Sequence, residues 1–230
     1  MLPLNVRVQE TSRLAVAGVT IEPVSLADMK NYLKVPSTIT ADDLLIGDMI
    51  SAARILCEKH LSMTFVQATF QMVLDYFPPG NGMIAPIIYS YLATGSPFAT
   101  GALNWNKLGL VFPFPPLVSV DSITYRDMSG VTQTLDATPG GNVRVVTGTP
   151  GQMIPVLGRI FPITRPEIGG VTIGFTAGIS TTGQETILAP ARAAIRYLVG
   201  QVYTQRSTGL VFDSVALNIL SPLGWGGTYA

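Results

Sequence analysis

The sequence predicts an α+β fold in which N-terminal and C-terminal helices form a bundle and an antiparallel β lobe is inserted between them. Three observations carry this. Apolar residues recur at helical spacing within residues 25–62 and again within 190–206, near the two ends of the chain. Between them, residues 65–77 (FVQATFQMVLDYF) and 117–126 (LVSVDSITYR) alternate with the period of half-buried strands. The resulting order of helices, strands and a final helix suits terminal helices that pack together around an insert.

The first 21 residues read as an extended arm, because Leu4, Val6 and Val8 alternate and no helical stripe follows. Ser25-Leu-Ala-Asp28 has the spacing of a helix N-cap with an acidic partner three residues on, and Met29, Tyr32 and Leu33 follow before Pro36 stops the helix. Thr40-Ala-Asp-Asp43 repeats the device, and its acids suit the positive end of a helix dipole. From there Leu45, Met49, Ile50, Ala52, Ala53, Leu56, Cys57 and His60 fall on one arc, with Asp43, Ser51, Arg54 and Glu58 opposite. That arrangement predicts a helix with an apolar inner face and an acid-bearing outer face.

In the insert, Ser129-Gly130 between two alternating runs marks a hairpin turn. Val143–Thr147 and Val171–Thr176 are further strand candidates. Pro190 is placed to open a helix over Ala191–Arg206, whose stripe is Ala191, Ala194, Ile195, Leu198 and Val202. The expected organisation is an arm at 1–21, a helical lobe at 22–63 and 187–206, a β-rich insert at 64–186 with a long loop at 79–114, and a C-terminal docking arm at 207–230.

Charge is sparse and uneven. Only 12% of residues are charged, 14 basic against 14 acidic, where about 25% is usual. From Tyr76 to Asn106 there is no charge at all, yet Pro78, Pro79, Pro86 and Pro97 interrupt this stretch too often for a membrane helix. An apolar segment of this kind is expected to find cover in protein. Its aromatics Tyr89, Tyr91, Phe98 and Trp105 are candidate interaction residues, since long loops are commonly functional and aromatic side chains commonly anchor interfaces. The residues from Ser214 to Ala230 are also uncharged and carry Leu217, Leu220, Trp225 and Tyr229, candidates for docking on a partner. The balanced charge implies no bulk attraction to nucleic acid or anionic membrane. One cysteine excludes an intramolecular disulfide, and the N-terminus lacks a secretory layout, so a cytosolic product or an assembly made there is expected.

Catalytic chemistry finds little support. Cys57 and His60 are spaced to touch on one helix, but both lie on its apolar arc, where a nucleophile pair would lack an exposed thiolate and an orienting group. Asp42 and Asp43 suit a helix start better than a cation site, and Asp48 points well away from Asp42 on the helix. The glycine-rich pieces at 138–142, 148–151 and 224–227 match no phosphate-binding spacing. No cofactor or metal is expected. Arg192, Arg196 and Arg206 project near one line beside the apolar stripe of the last helix. They suit either a phosphate backbone or acids such as Asp43 and Glu58 on a neighbouring subunit.

Taken in succession, EPVSLADMKNYLKV (22–35), DDLLIGDMISAARILCEKHLSMTFVQATFQMVLDYFP (42–78), PPLVSVDSITYRDMSGVTQTLD (115–136), VTIGFTAG (171–178) and PARAAIRYLVGQVYTQR (190–206) resemble the head–tail connector (adaptor) proteins of long-tailed bacteriophages. No single motif is diagnostic; the order is. The longer N-terminal arm, the expanded 79–114 region and the Gly- and aromatic-rich C-terminal end depart from that pattern. The resemblance implies a non-enzymatic virion protein forming a ring, dodecameric in the particle, beneath the portal. Double-stranded DNA would pass through that ring without sequence readout, a stopper or tail-completion protein would bind on the tail side, and the C-terminal end would face the portal. A neighbouring stopper or tail role, a carbohydrate-binding β module of a tail fibre built around Trp105, and a small hydrolase using Cys57 and His60 are the competing readings. The fibre module leaves the three amphipathic helices without a purpose.

Overall fold

The computed structural model describes residues 6–13, 15–16, 19–77, 109–138, 140–156, 159–165, 167–205 and 212–223. The chain forms two compact units. One comprises Met1–Ser12 and Ala68–Ala177, the other Arg13–Gln67 and Gly178–Ala230.

The second unit is helical. Helix α1 (Leu26–Leu33) starts as its sequence predicts, with the Ser25 hydroxyl accepting from the Asp28 N–H, and stops where Lys34 turns left-handed (φ 61°). Helix α2 (Asp43–Leu61) ends similarly at Ser62 (φ 52°). Its start differs from expectation. Asp42, not Thr40, is the N-cap residue and caps nothing with its side chain, which instead accepts a hydrogen bond from the Tyr203 hydroxyl at 2.8 Å. Helix α3 (Ala189–Gln205) follows a 3₁₀ turn at Thr186–Leu188, and α4 (Ser214–Leu220) runs into a second such turn at Ser221–Leu223. The predicted stripe of α3 is its buried face: Ala191, Ala194 and Ile195 are fully covered, with Leu198 and Val202 beside them. Ala191, Ala194, Ile195 and Leu198 share a core with Met29, Ile46, Ile50, Ala53, Cys57 and Phe65.

Helix α2 overturns one reading. The face assigned to solvent is partly core: Arg54 and Glu58 are buried, while Leu44, Leu45 and Ile55 point outward at 79%, 49% and 55% exposure. Burial of the two charged residues is possible because they are paired. Glu58 accepts from Arg54 Nη1 (2.7 Å), from Arg13 (3.0 and 3.3 Å) and from the Phe65 N–H (2.8 Å), and Arg54 Nε reaches Glu22 at 2.8 Å. This compact set of two acids and two bases satisfies the rule that buried charge needs both a counter-charge and hydrogen bonds. The other predicted outward acid, Asp43, accepts from Lys30 Nζ at 2.7 Å.

The other unit holds two sheets. Strands β1 (Val6–Arg13), β4 (Ala68–Leu74), β6 (Leu117–Arg126), β7 (Thr132–Thr134) and β10 (Val171–Ala177) lie in the order β1-β4-β10-β6-β7. Strands β5 (Leu110–Val111), β8 (Val143–Val146) and β9 (Gln152–Pro155) form the second sheet in the order β5-β9-β8. Residues 15–16 and 19–20, strands β2 and β3, pair with each other as a two-stranded sheet. The pairs of β10 with β4 and β6, of β6 with β7 and of β8 with β9 are antiparallel, and the Ser129-Gly130 turn joins β6 to β7. Asp127 closes that turn by accepting from the Ser129 and Val131 N–H groups. Alternate residues of β4 and β10 face a core of Phe70, Met72, Leu74, Ile173 and Phe175, joined by Phe77 and Phe161 stacked at 5.0 Å.

Two more expectations change here. Residues 6–13 are not a free arm but the edge strand of the five-stranded sheet, tied to β4 by the Thr11 hydroxyl donating to the Thr69 carbonyl. The far end of the predicted 79–114 loop is core, because Leu110 pairs with Met153 across β5 and β9 and Phe112 is buried against Phe175. Gly178 has a positive φ (137°), and a Cβ there would lie 2.5 Å from the Gln67 Cα, so this crossing point requires glycine.

Candidate interaction surface

The described residues assemble no catalytic constellation. The Cys57 thiol is fully buried, and desolvation, with the nearby Glu58 charge second, pushes its pKa up to about 12. A thiol so placed is not a nucleophile near neutral pH. His60 is exposed and rests on the Phe212 ring at 4.5 Å. No group of three or more His, Cys, Asp or Glu side chains among the described residues is placed to hold a metal ion. Among the same residues no helix is long and apolar enough to cross a membrane.

What the helical unit offers instead is surface. At 100° per residue, Leu44, Leu45, Asp48, Ala52, Ile55 and Lys59 of α2 fall within about 100° of arc, and all six are exposed. Sequence reasoning missed this ridge because it placed the apolar arc one sector away, counting Arg54 and Glu58 as solvent-facing. The signal available was that Leu44 and Ile55 lie outside any single apolar arc containing Ile50 and Cys57.

The arginines of α3 separate in role. Arg192 donates through Nη1 to the carbonyls of Gly183 (3.3 Å) and Glu185 (3.0 Å), so it caps the loop ahead of its own helix. Arg196 is half-buried and has neither an ion pair nor a hydrogen bond to another described residue. Arg206 lies outside the described residues. The acids suggested as intersubunit partners, Asp43 and Glu58, are paired within the chain, Asp43 with Lys30 and Glu58 with Arg13 and Arg54; Glu58 is buried in that pairing, while Asp43 stays partly exposed.

The C-terminal segment divides as well. Asp213 caps α4, accepting from the Ala216 N–H at 2.9 Å, and its other oxygen accepts from the Tyr197 hydroxyl (2.7 Å) and Gln201 Nε2 (3.1 Å). These bonds, the backbone one foremost, hold its pKa below the ordinary carboxylate value, and the same contact raises that of Tyr197. Helix α4 therefore folds back on its own unit. Leu220 is buried among α3 residues and is unavailable for docking, because its side chain is already part of this core. Leu217, at 39% exposure, stays accessible. Trp225, Tyr229, Tyr89, Tyr91, Phe98 and Trp105 lie outside the described residues.

Comparison with solved structures bears on this fold from end to end. A chain from the neck of an empty gene transfer agent particle, computed with C6 symmetry, superposes with a TM-score of 0.64 at 20% identity, covering 96% of this chain and 98% of that one. The fold is shared with a virion neck component. A chain from the virion of a native gene transfer agent particle matches with a TM-score of 0.61 at 20% identity, over 93% of each chain. A chain from the neck of the native particle, computed with C12 symmetry, gives 0.56 at 18% identity, over 94% and 98%. No protein-family model matches the sequence, and no curated protein matches it. The likeness thus lies in architecture at low identity, and it includes the helical unit as well as the β unit.

Proposed function

We propose that this protein is a non-enzymatic head–tail connector that forms a ring, of twelve copies in the assembled particle, between the portal and the tail of a virion. The observation that carries the reading is the near-complete overlap with a chain of a particle neck, in which neither protein has a large unmatched part. The C12 and C6 symmetries of the similar necks support a ring of this kind. The sparse charge and the exposed apolar ridge of α2 support a surface shared with other protein. In this reading the genome passes through the ring without sequence readout. The end of the chain, with Leu217, Trp225 and Tyr229, docks on the portal, and Tyr89, Tyr91, Phe98 and Trp105 meet a neighbouring copy or a stopper on the tail side. The ring is made in the host cytoplasm and acts in the virion.

Native mass spectrometry of the protein, alone and mixed with its portal, tests this directly. A closed ring, or a portal-bound ring, is the expected species. Monomer alone at high concentration under both conditions refutes the proposal.

A further inference from the structure

Resting on that ring, we propose that the lateral contact joins two different faces of the helical unit: the outward ridge of α2 in one copy meets the Arg196 flank of α3 in the next, with Asp48 paired to Arg196. Most charged side chains of the helical unit are satisfied inside it. In this unit Glu22, Glu58, Asp42, Asp43, Asp213, Arg13, Lys30, Arg54 and Arg192 all have hydrogen-bond partners within the unit. Arg196 has none among the described residues although it is half-buried. A guanidinium that gives up part of its hydration is normally repaid by an acceptor. The other cations of this unit without a partner among the described residues, Lys34 and Lys59, are exposed and keep their water.

The complementary group is Asp48. Asp28 and Asp48 are the acids of this unit without a side-chain partner among the described residues; Asp28 lies in the first turn of α1, whereas Asp48 is exposed and stands between Leu44 and Ala52 on the apolar ridge. The ridge bears three large aliphatic side chains, Leu44, Leu45 and Ile55, with Asp48 in its N-terminal half and Lys59 near its C-terminal end; set against a flank with exposed Ala193 and one cation, its N-terminal half matches in apolar character and in sign. Arg–carboxylate pairs of this kind give both strength and register.

Direction favours a second copy as the occupant. The ridge lies about 170° from the buried stripe of α2, whereas Arg196 lies about 130° from the buried stripe of α3. The faces are therefore distinct and look different ways. A contact between two different faces is head-to-tail, and repetition of a head-to-tail contact generates a ring when its rotation closes.

Charge exchange tests the pair. Asp48→Arg and Arg196→Asp should each lower the ring fraction at least tenfold by native mass spectrometry at fixed concentration, with far-UV circular dichroism unchanged. The double variant, Asp48→Arg with Arg196→Asp, recreates an opposite pair at every interface and should recover rings to within a few-fold of wild type. Rings from wild type but no recovery in the double variant overturn the pairing and leave the ring reading standing. Absence of wild-type rings with and without portal removes both. Cysteine cross-linking gives a second measurement that does not depend on ring yield. Because the one native cysteine is buried, Asp48→Cys mixed with Arg196→Cys should give a disulfide-linked dimer of the two variants. Linkage only within each variant alone would show a two-fold contact and overturn the head-to-tail one.

Discussion

Removing the Glu58 carboxylate is expected to be the most damaging single change in the helical unit. The perturbation is Glu58→Ala. Glu58 accepts four hydrogen bonds, two from Arg13, one from Arg54 and one from the Phe65 backbone, at 2.7 to 3.3 Å. Without it the Phe65 N–H loses its acceptor, Arg13 loses this carboxylate, and Arg54 keeps only Glu22. An unsatisfied buried N–H costs about 1–3 kcal/mol, and breaking one side of a buried charge pair costs about 3–5 kcal/mol. The contributions overlap, so the expected loss is about 4 kcal/mol, or roughly 8–16 °C in Tm at 2–4 °C per kcal/mol for a chain of this size. Urea unfolding followed by far-UV circular dichroism measures it. The double variant Arg54→Ala with Glu58→Ala should cost less than the sum of the singles by roughly 1–3 kcal/mol, because the second change removes a charge the first left uncompensated. A loss below about 1 kcal/mol for Glu58→Ala, or strict additivity in the cycle, would refute the claim that this network is a coupled buried unit.

Other outcomes are specific enough to check. Ser25→Ala should destabilise by about 1 kcal/mol by removing the cap on the Asp28 N–H, read from the urea midpoint. Thiol probes should leave Cys57 unmodified in native protein near neutral pH and label it on unfolding. Its folded pKa of about 12 exceeds the ordinary value of 9.0, so its contribution to stability is full below about 9 and is lost as pH climbs toward about 12. Asp213 has a depressed pKa, so the docking of α4 should hold at neutral pH and weaken as pH falls through the folded value, an effect absent in Asp213→Asn. Deleting residues 224–230 should leave the circular dichroism spectrum intact but abolish binding to portal-bearing capsids. Deleting 215–230 should also destabilise the fold, because it removes Ala216 and Leu220 from the core.

Much of the fold was legible because local pattern and tertiary role agreed. The alternation of 117–126 has a single reading, and β6 occupies those residues. The stripe of α3 repeats small and aliphatic residues at positions that cannot face water together, and it is buried as read. The start of α1 is settled by one side chain and one backbone group three residues apart. Illegible features were those decided by distant partners. Nothing near Val6–Arg13 reveals that β4 accepts it as an edge strand, since edge strands alternate just as free extended segments do. Leu110 and Phe112 join the core through pairing with β9, about forty residues onward. The tail from Ser214 looked partner-seeking because its charge is missing, yet Asp213 and the apolar side of α4 find their partners on α3.

Helix α2 shows why the interaction surface was harder to read than the fold. Periodicity separates apolar from polar residues, but it does not state which set is covered when charged residues can be buried in pairs. Arg54 and Glu58 are i, i+4 neighbours, a spacing usually taken as a solvated helix pair. The decisive additions, Glu22 and Arg13, come from outside the helix and convert that pair into a buried network. With Arg54 and Glu58 turned inward, the helix rotates and the aliphatic residues Leu44, Leu45 and Ile55 face out. A helix that buries Arg54 and Glu58 and leaves Leu44, Leu45 and Ile55 in water is badly arranged for a solitary chain. It is well arranged for one that completes its surface with another copy. The same rotation buries Glu58 in its own network and leaves Asp48 on the ridge beside those aliphatic side chains, an acid that the sequence pattern places away from the helix start.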